Sequence, residues 1–194
     1  LYRTVPKTWT TSTLSVARYG SASTSVLNRY ILIAGGVTSI GSRSSVVDIW
    51  DTQLQSWLTP STLSIARSHL TATSVGSYAL FAGGSVAAAT ASDRVDLYHI
   101  DTQLWTQLAP LSVPRRRLSS FVLGEMVVFT WGQTDSNAPA VMDLWNSTSQ
   151  TWALTVSISA RHSCGVTVVD NSTALIVGGI RNDVNQTILS QMEM

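Results

Sequence analysis

Tyr78-Ala79-Leu80-Phe81-Ala82-Gly83-Gly84, then Arg94-Val95-Asp96-Leu97-Tyr98, then Trp105: the reading of this stretch decides the fold. Its first segment is an unbroken apolar run, strand-length and closed by two glycines, so burial on both faces is expected. The next segment alternates strictly. Val95 and Leu97 point one way, Asp96 and Tyr98 the other. Upstream, His69 to Val75 reads as a strand lined with small and β-branched residues, with Gly76-Ser77 as its turn. Downstream, Asp101-Thr102 is turn chemistry, and Trp105 to Leu108 reads as a fourth, outer strand. One such unit is a four-stranded antiparallel sheet.

The unit recurs. Its closing Trp appears as Trp9, Trp57, Trp105 and Trp152, at steps of 48, 48 and 47. An Arg after a small residue follows each, as Arg18, Arg67, Arg115 and Arg161. The apolar strand ends in Gly35-Gly36, Gly83-Gly84 and Gly178-Gly179; the third copy departs, with Trp131-Gly132. The acidic strand carries Asp48, Asp96 and Asp143, each two residues before an aromatic. A period in the high forties built from short strands predicts an all-β propeller, one four-stranded antiparallel blade per repeat. The blades are expected at about 10–57, 58–105, 106–152 and 153–194 plus 1–9, within one unit spanning 1–194. Each recurrent Trp is expected to pack blade against blade.

These residues resemble the kelch repeat. There, an Arg-led strand, an apolar strand ending in Gly-Gly, a Val-acidic-apolar-aromatic strand and a Trp strand make one blade. The resemblance covers essentially the whole chain. It implies a kelch-type propeller whose N-terminal outer strand completes the C-terminal blade. Three arrangements stay open: a small closed ring, a segment of a larger ring, or one unit of an assembly of copies.

Composition narrows the function. Hydrophobic residues make up 44% and charged residues only 12%, with a net charge of +1. No global pull toward nucleic acid or anionic lipid follows from that balance. Ser and Thr fill 51 positions, so the polar surface is mostly hydroxyl. No apolar run is long enough to span a membrane as a helix. The single Cys164 excludes an internal disulfide and reads as a buried thiol.

Catalytic chemistry is sparse. The three histidines, His69, His99 and His162, have no convergent third ligand, so no metal or other cofactor is expected. No nucleophile motif is present, and the glycine pairs are structural. The repeated arginines are expected to bond backbone carbonyls or the acids Asp48, Asp96, Asp143 and Glu193; the rival reading is an anion-binding funnel. In Arg115-Arg116-Arg117, alternation separates Arg116 from its neighbours and argues for a solvated loop. The candidate ligand face carries His69, His162 and Trp131. Asn146, Asn171 and Asn185 head glycosylation sequons in expected turns and loops, all three expected to be exposed.

These signs favour a non-enzymatic scaffold or recognition module of an extracellular or cell-surface glycoprotein, bound to a protein partner or to further copies of itself. The resemblance leaves two alternatives: a cytoplasmic kelch adaptor binding a protein partner, and a carbohydrate-active kelch enzyme.

Overall fold

The computed structural model describes residues 2–4, 7–88, 90–135, 141–157, 161–162, 165–178, 180–181 and 192–193. The fold is all-β, built of several antiparallel sheets. The first sheet comprises Ala22–Val26, Tyr30–Ala34 and Val46–Asp51, with Ser56–Trp57 and Ser61–Thr62 sharing its outer edge. The second runs Thr71–Val75, Tyr78–Ala82, Val95–His99 and Leu104–Gln107. The third runs Ser119–Leu123, Met126–Thr130, Val141–Asn146 and Thr151–Ser157. The fourth holds Gly165–Val168, Ala174–Val177 and Met192–Glu193. Strand order follows chain order in each.

The register repeats with the sequence. Ile33 pairs with Asp48, Phe81 with Asp96 and Phe129 with Asp143. The strand expected from His69 begins instead at Thr71. His69 holds φ +52°, a left-handed conformation that an extended strand cannot contain.

Each sheet has two distinct faces, because strand side chains alternate. One, the A face, carries Ala79, Phe81, Tyr98 and Trp105 in the second sheet, and Val127, Phe129, Trp145 and Trp152 in the third. The opposite, or B, face carries Leu32, Ala34, Val47 and Ile49 in the first sheet, and Leu80, Ala82, Val95 and Leu97 in the second. The core forms where an A face lies on the preceding sheet's B face. One cluster joins the first and second sheets, another the second and third, and a third packs Val128 and Trp131 against Ala174 of the fourth.

This arrangement corrects two expectations about the Trp repeat. Trp105 and Trp152 pack into the two larger clusters as expected. Trp9 is 78% exposed, on a separate two-stranded ribbon of Tyr2–Thr4 and Lys7–Trp9. Trp57 is half-buried and packs edge-on against Trp50 of its own sheet, with ring centroids 5.1 Å apart. Trp105 and Trp152 are also half-buried, but each packs against a cluster shared with the preceding sheet, and Trp57 packs within its own.

Candidate functional site

The repeated charges form a clamp inside each of the first three sheets. Arg18 pairs with Asp48 at 2.7 Å, Arg67 with Asp96 at 2.8 Å, and Arg115 with Asp143. Each guanidinium also donates to the carbonyl of the residue before the last of the apolar strand: Ile33 at 2.9 Å, Phe81 at 3.0 Å, and Phe129 at 3.3 Å. Each carboxylate further accepts a backbone N–H from the lead-in segment, at Ser15, Ser64 and Ser112. One Arg thereby ties the lead-in, the second strand and the third strand together. Burial lowers the pKa of Arg67 and Arg115, while Asp96 and Asp143 oppose that shift. Arg161 and Glu193 have described backbones only: Arg161 pairs with Arg181 across a two-stranded ladder, and Glu193 pairs with Ile176.

The glycine pairs hold positive φ, +64° and +104° at Gly83 and Gly84. A Cβ on Gly83 would stand 2.6 Å from the Arg115 carbonyl of the next repeat, so the backbones approach too closely for any side chain there. Gly35, Gly36, Gly132 and Gly178 share the positive φ; Gly179 lies outside the described residues. Trp131 replaces the first glycine and takes φ +52° itself. That conformation costs about 1–2 kcal/mol for a side-chain-bearing residue. Its ring is buried beside Phe121, Val128 and Ala174 and is not presented on a ligand face.

His69 lies among the lead-in segments. Its N–H donates to the Gly20 carbonyl at 2.7 Å, and its carbonyl accepts from the Arg117 N–H at 2.8 Å. Gly20, His69 and Arg117 occupy the same place in successive repeats, all at positive φ. The imidazole Nδ1 lies 3.1 Å from Ser68 Oγ. Burial lowers the His69 pKa first, followed by the positive charges of Arg117, Arg43 and Arg116. The cationic surround and burial thus both disfavour protonation of the His69 ring. Chain pairing links this region to the polar loops, through the bridges Val37–Arg43, Ser68–Ser85 and Arg116–Gln133. His162 pairs with Ile180 through its backbone, and its side chain lies outside the description.

The three consecutive arginines diverge. Arg115 is buried in its clamp, Arg116 pairs with Asp135, and Arg117 is exposed. The solvated-loop expectation therefore fails for Arg115, whose guanidinium is consumed by Asp143. Asp135 also accepts the N–H of Ala91, joining the polar loops of the second and third repeats. Sequence reasoning missed that role, since an isolated loop acid gives no periodic signal. It also missed the indole bonds: Trp57 Nε1 donates to Ser12 Oγ at 2.8 Å, and Trp105 Nε1 to Ser61 Oγ at 2.7 Å.

Asn171 is exposed in a turn, as expected. Asn146 is half-buried, against expectation: its Oδ1 accepts the N–H groups of Thr148 and Ser149, both at 2.9 Å, closing its own turn. Asn185 and Cys164 lie outside the described residues. Among the described residues no group of three His, Cys, Asp or Glu side chains is placed to hold a metal. Nor is any helix there long and apolar enough to cross a membrane. Compared with protein-family models and with curated proteins, the chain matches none.

Proposed function

We propose that the chain is a kelch-type propeller module: a non-enzymatic scaffold that recognises a protein partner, within an extracellular glycoprotein or a larger assembly. The carrying observation is the threefold recurrence of the Arg–Asp clamp with its carbonyl and lead-in bonds. It supports a structural role for the signature residues, each tying a lead-in segment to two strands of its sheet. The chemistry that suits a partner is the cationic surface of half-buried Arg43 and exposed Arg117 around His69, which fits an acidic group on that partner.

The exposed sequon at Asn171 supports the extracellular part of the reading. The test is the intact mass of the chain secreted from a eukaryotic host, before and after enzymatic removal of N-glycans. A mass above 20.9 kDa that falls to it on treatment, with the glycan mapped to Asn171 or Asn185, is the expected result. A secreted chain at 20.9 kDa with no shift removes the glycoprotein reading and leaves the cytoplasmic adaptor.

A further inference from the structure

The internal interfaces of the stack repeat one pairing, an A face on the preceding sheet's B face; in the first two the A face carries aromatic rings and the B face aliphatic side chains. Phe81 and Tyr98 lie on Leu32 and Ala34 of the preceding sheet, and Phe129 and Trp145 lie on Leu80 and Ala82. Among the described residues no further sheet covers either end of the series. The first sheet's own A face carries Ile31, Ile33 and Trp50, all half-buried, where the counterparts Ala79, Phe81 and Tyr98 are buried, and Trp57, half-buried like its counterpart Trp105. A cavity of about 430 Å³ lies against it, lined also by the lead-in residues Thr10, Ser12 and Leu14. On the fourth sheet's B face Leu175 is half-buried and two valines stand open among the described residues. Val169 is 66% and Val177 45% exposed, where their first-sheet counterparts Val26 and Ala34 are fully buried.

We infer that the A face of the first sheet is a docking site for the fourth sheet's B face in a second copy of the chain. The inference rests on the proposed reading of the sheets as equivalent blades, and names the partner. Its warrant is continuity: the interior of the chain makes this A-on-B contact between each pair of successive sheets, and the two uncovered faces are one of each kind. The contact brings no unpaired charge into the interface at Asp48, which shares the A face, because Arg18 already pairs with it. Such an interface is heterologous, the head of one copy on the tail of the next. It extends into open filaments or closes into rings of copies.

Two variants separate the ends. Ile33→Asp places a carboxylate on the A face, and Val177→Asp places one on the B face. Sedimentation velocity from low to high micromolar concentration is expected to show wild-type mass rising past the dimer. Each variant alone stays monomeric. An equimolar mixture of the two forms a dimer and nothing larger, because only one intact A face and one intact B face remain. Ile31→Asp replaces Ile33→Asp if circular dichroism shows the latter unfolded, and Val169→Asp likewise replaces Val177→Asp.

A wild type that stays monomeric, with Trp50 and Trp57 open to hydroxyl-radical footprinting, overturns the docking site. So does a monomer in which both rings are shielded and Val177→Asp exposes them, because the fourth sheet then covers the first within one chain. Association that the mixture does not restore belongs to another surface and overturns it too. Failure of the blade reading shows separately, as a wild-type chain without a cooperative β-sheet unfolding transition.

Discussion

A single missing hydroxyl tests the repeat at the level of residues. Trp57 and Trp105 each donate their indole N–H to a lead-in serine, Ser12 and Ser61, two residues before Leu14 and Leu63. In the third copy that place is Ala109, two before Leu111, and Trp152 Nε1 is buried without a partner. Ala109→Ser is expected to supply the acceptor and raise stability by about 1 kcal/mol. In thermal unfolding that is a rise in Tm of about 2–4 °C for a chain of this size. The same residues grade the Trp positions by what lies across from them. Trp105→Ala, which empties a place between two packed sheets, is expected to cost about 3–5 kcal/mol. Trp57→Ala, on the first sheet's A face, is expected to cost roughly half as much or less in the monomer, because its ring packs against Trp50 of its own sheet and not into a cluster between sheets. Urea denaturation of both variants measures the difference. His69 supplies the pH dependence. Its folded pKa lies below the ordinary 6.5, through burial first and then Arg117, Arg43 and Arg116. The unfolded chain therefore binds the proton more readily. Its contribution to stability is fully present above pH 6.5 and is lost as the pH falls through the folded pKa. His69→Asn keeps a residue that tolerates positive φ. It is expected to flatten the profile of unfolding free energy below pH 6.5.

At the level of elements, the Arg–Asp clamp binds three chain segments through one buried ion pair. Removing one partner strands the other in a dry interior, so Arg67→Met or Asp96→Leu alone is expected to cost about 3–5 kcal/mol. Together the two changes replace the pair with apolar volume and are expected to recover most of that loss. A double-mutant cycle by urea denaturation reads the coupling, and additive losses would mean that the pair is not what holds the strands. This clamp was legible in the sequence because Arg and Asp recur in phase, and the apolar-acidic-apolar alternation fixed which side Asp96 faces. The second-strand boundaries were legible for a similar reason: an apolar run between a turn and a glycine pair leaves one solution. The start of the first strand was not legible. A left-handed φ at His69 comes from a backbone bond to Gly20 in the preceding repeat, and residue identity carries no sign of it. The strained Trp131 was visible only as a departure from the glycine pattern. Its burial depends on the space left by Phe121 and Ala174.

At the level of the molecule, stability is set by how many faces of each sheet are covered. The sequence could mark which residues alternate inward, but an end sheet and a middle sheet carry the same pattern, so the exposure of Trp9 and the packing of Trp57 within its own sheet were not legible. A stack of equivalent units is stabilised mainly by contacts between neighbours, so units with two neighbours open last. The second and third sheets are covered on both faces, the second by the two larger clusters, the third by the second and third clusters. Among the described residues a neighbouring sheet covers only one face of the first sheet. Amide exchange at Leu80, Phe81, Leu97, Val128 and Phe129 is therefore expected to approach the global unfolding limit, while Leu32 and Ile49 exchange faster. The comparison belongs in Ile33→Asp at low concentration, where head-to-tail docking is blocked and every molecule presents the same open face. Uniform protection across the three sheets in that variant would mean that the first sheet is already covered on both sides. In wild type at high concentration, docking adds the missing neighbour, so protection of Leu32 and Ile49 is expected to rise toward that of Leu80 and Leu97 while the middle sheets change little.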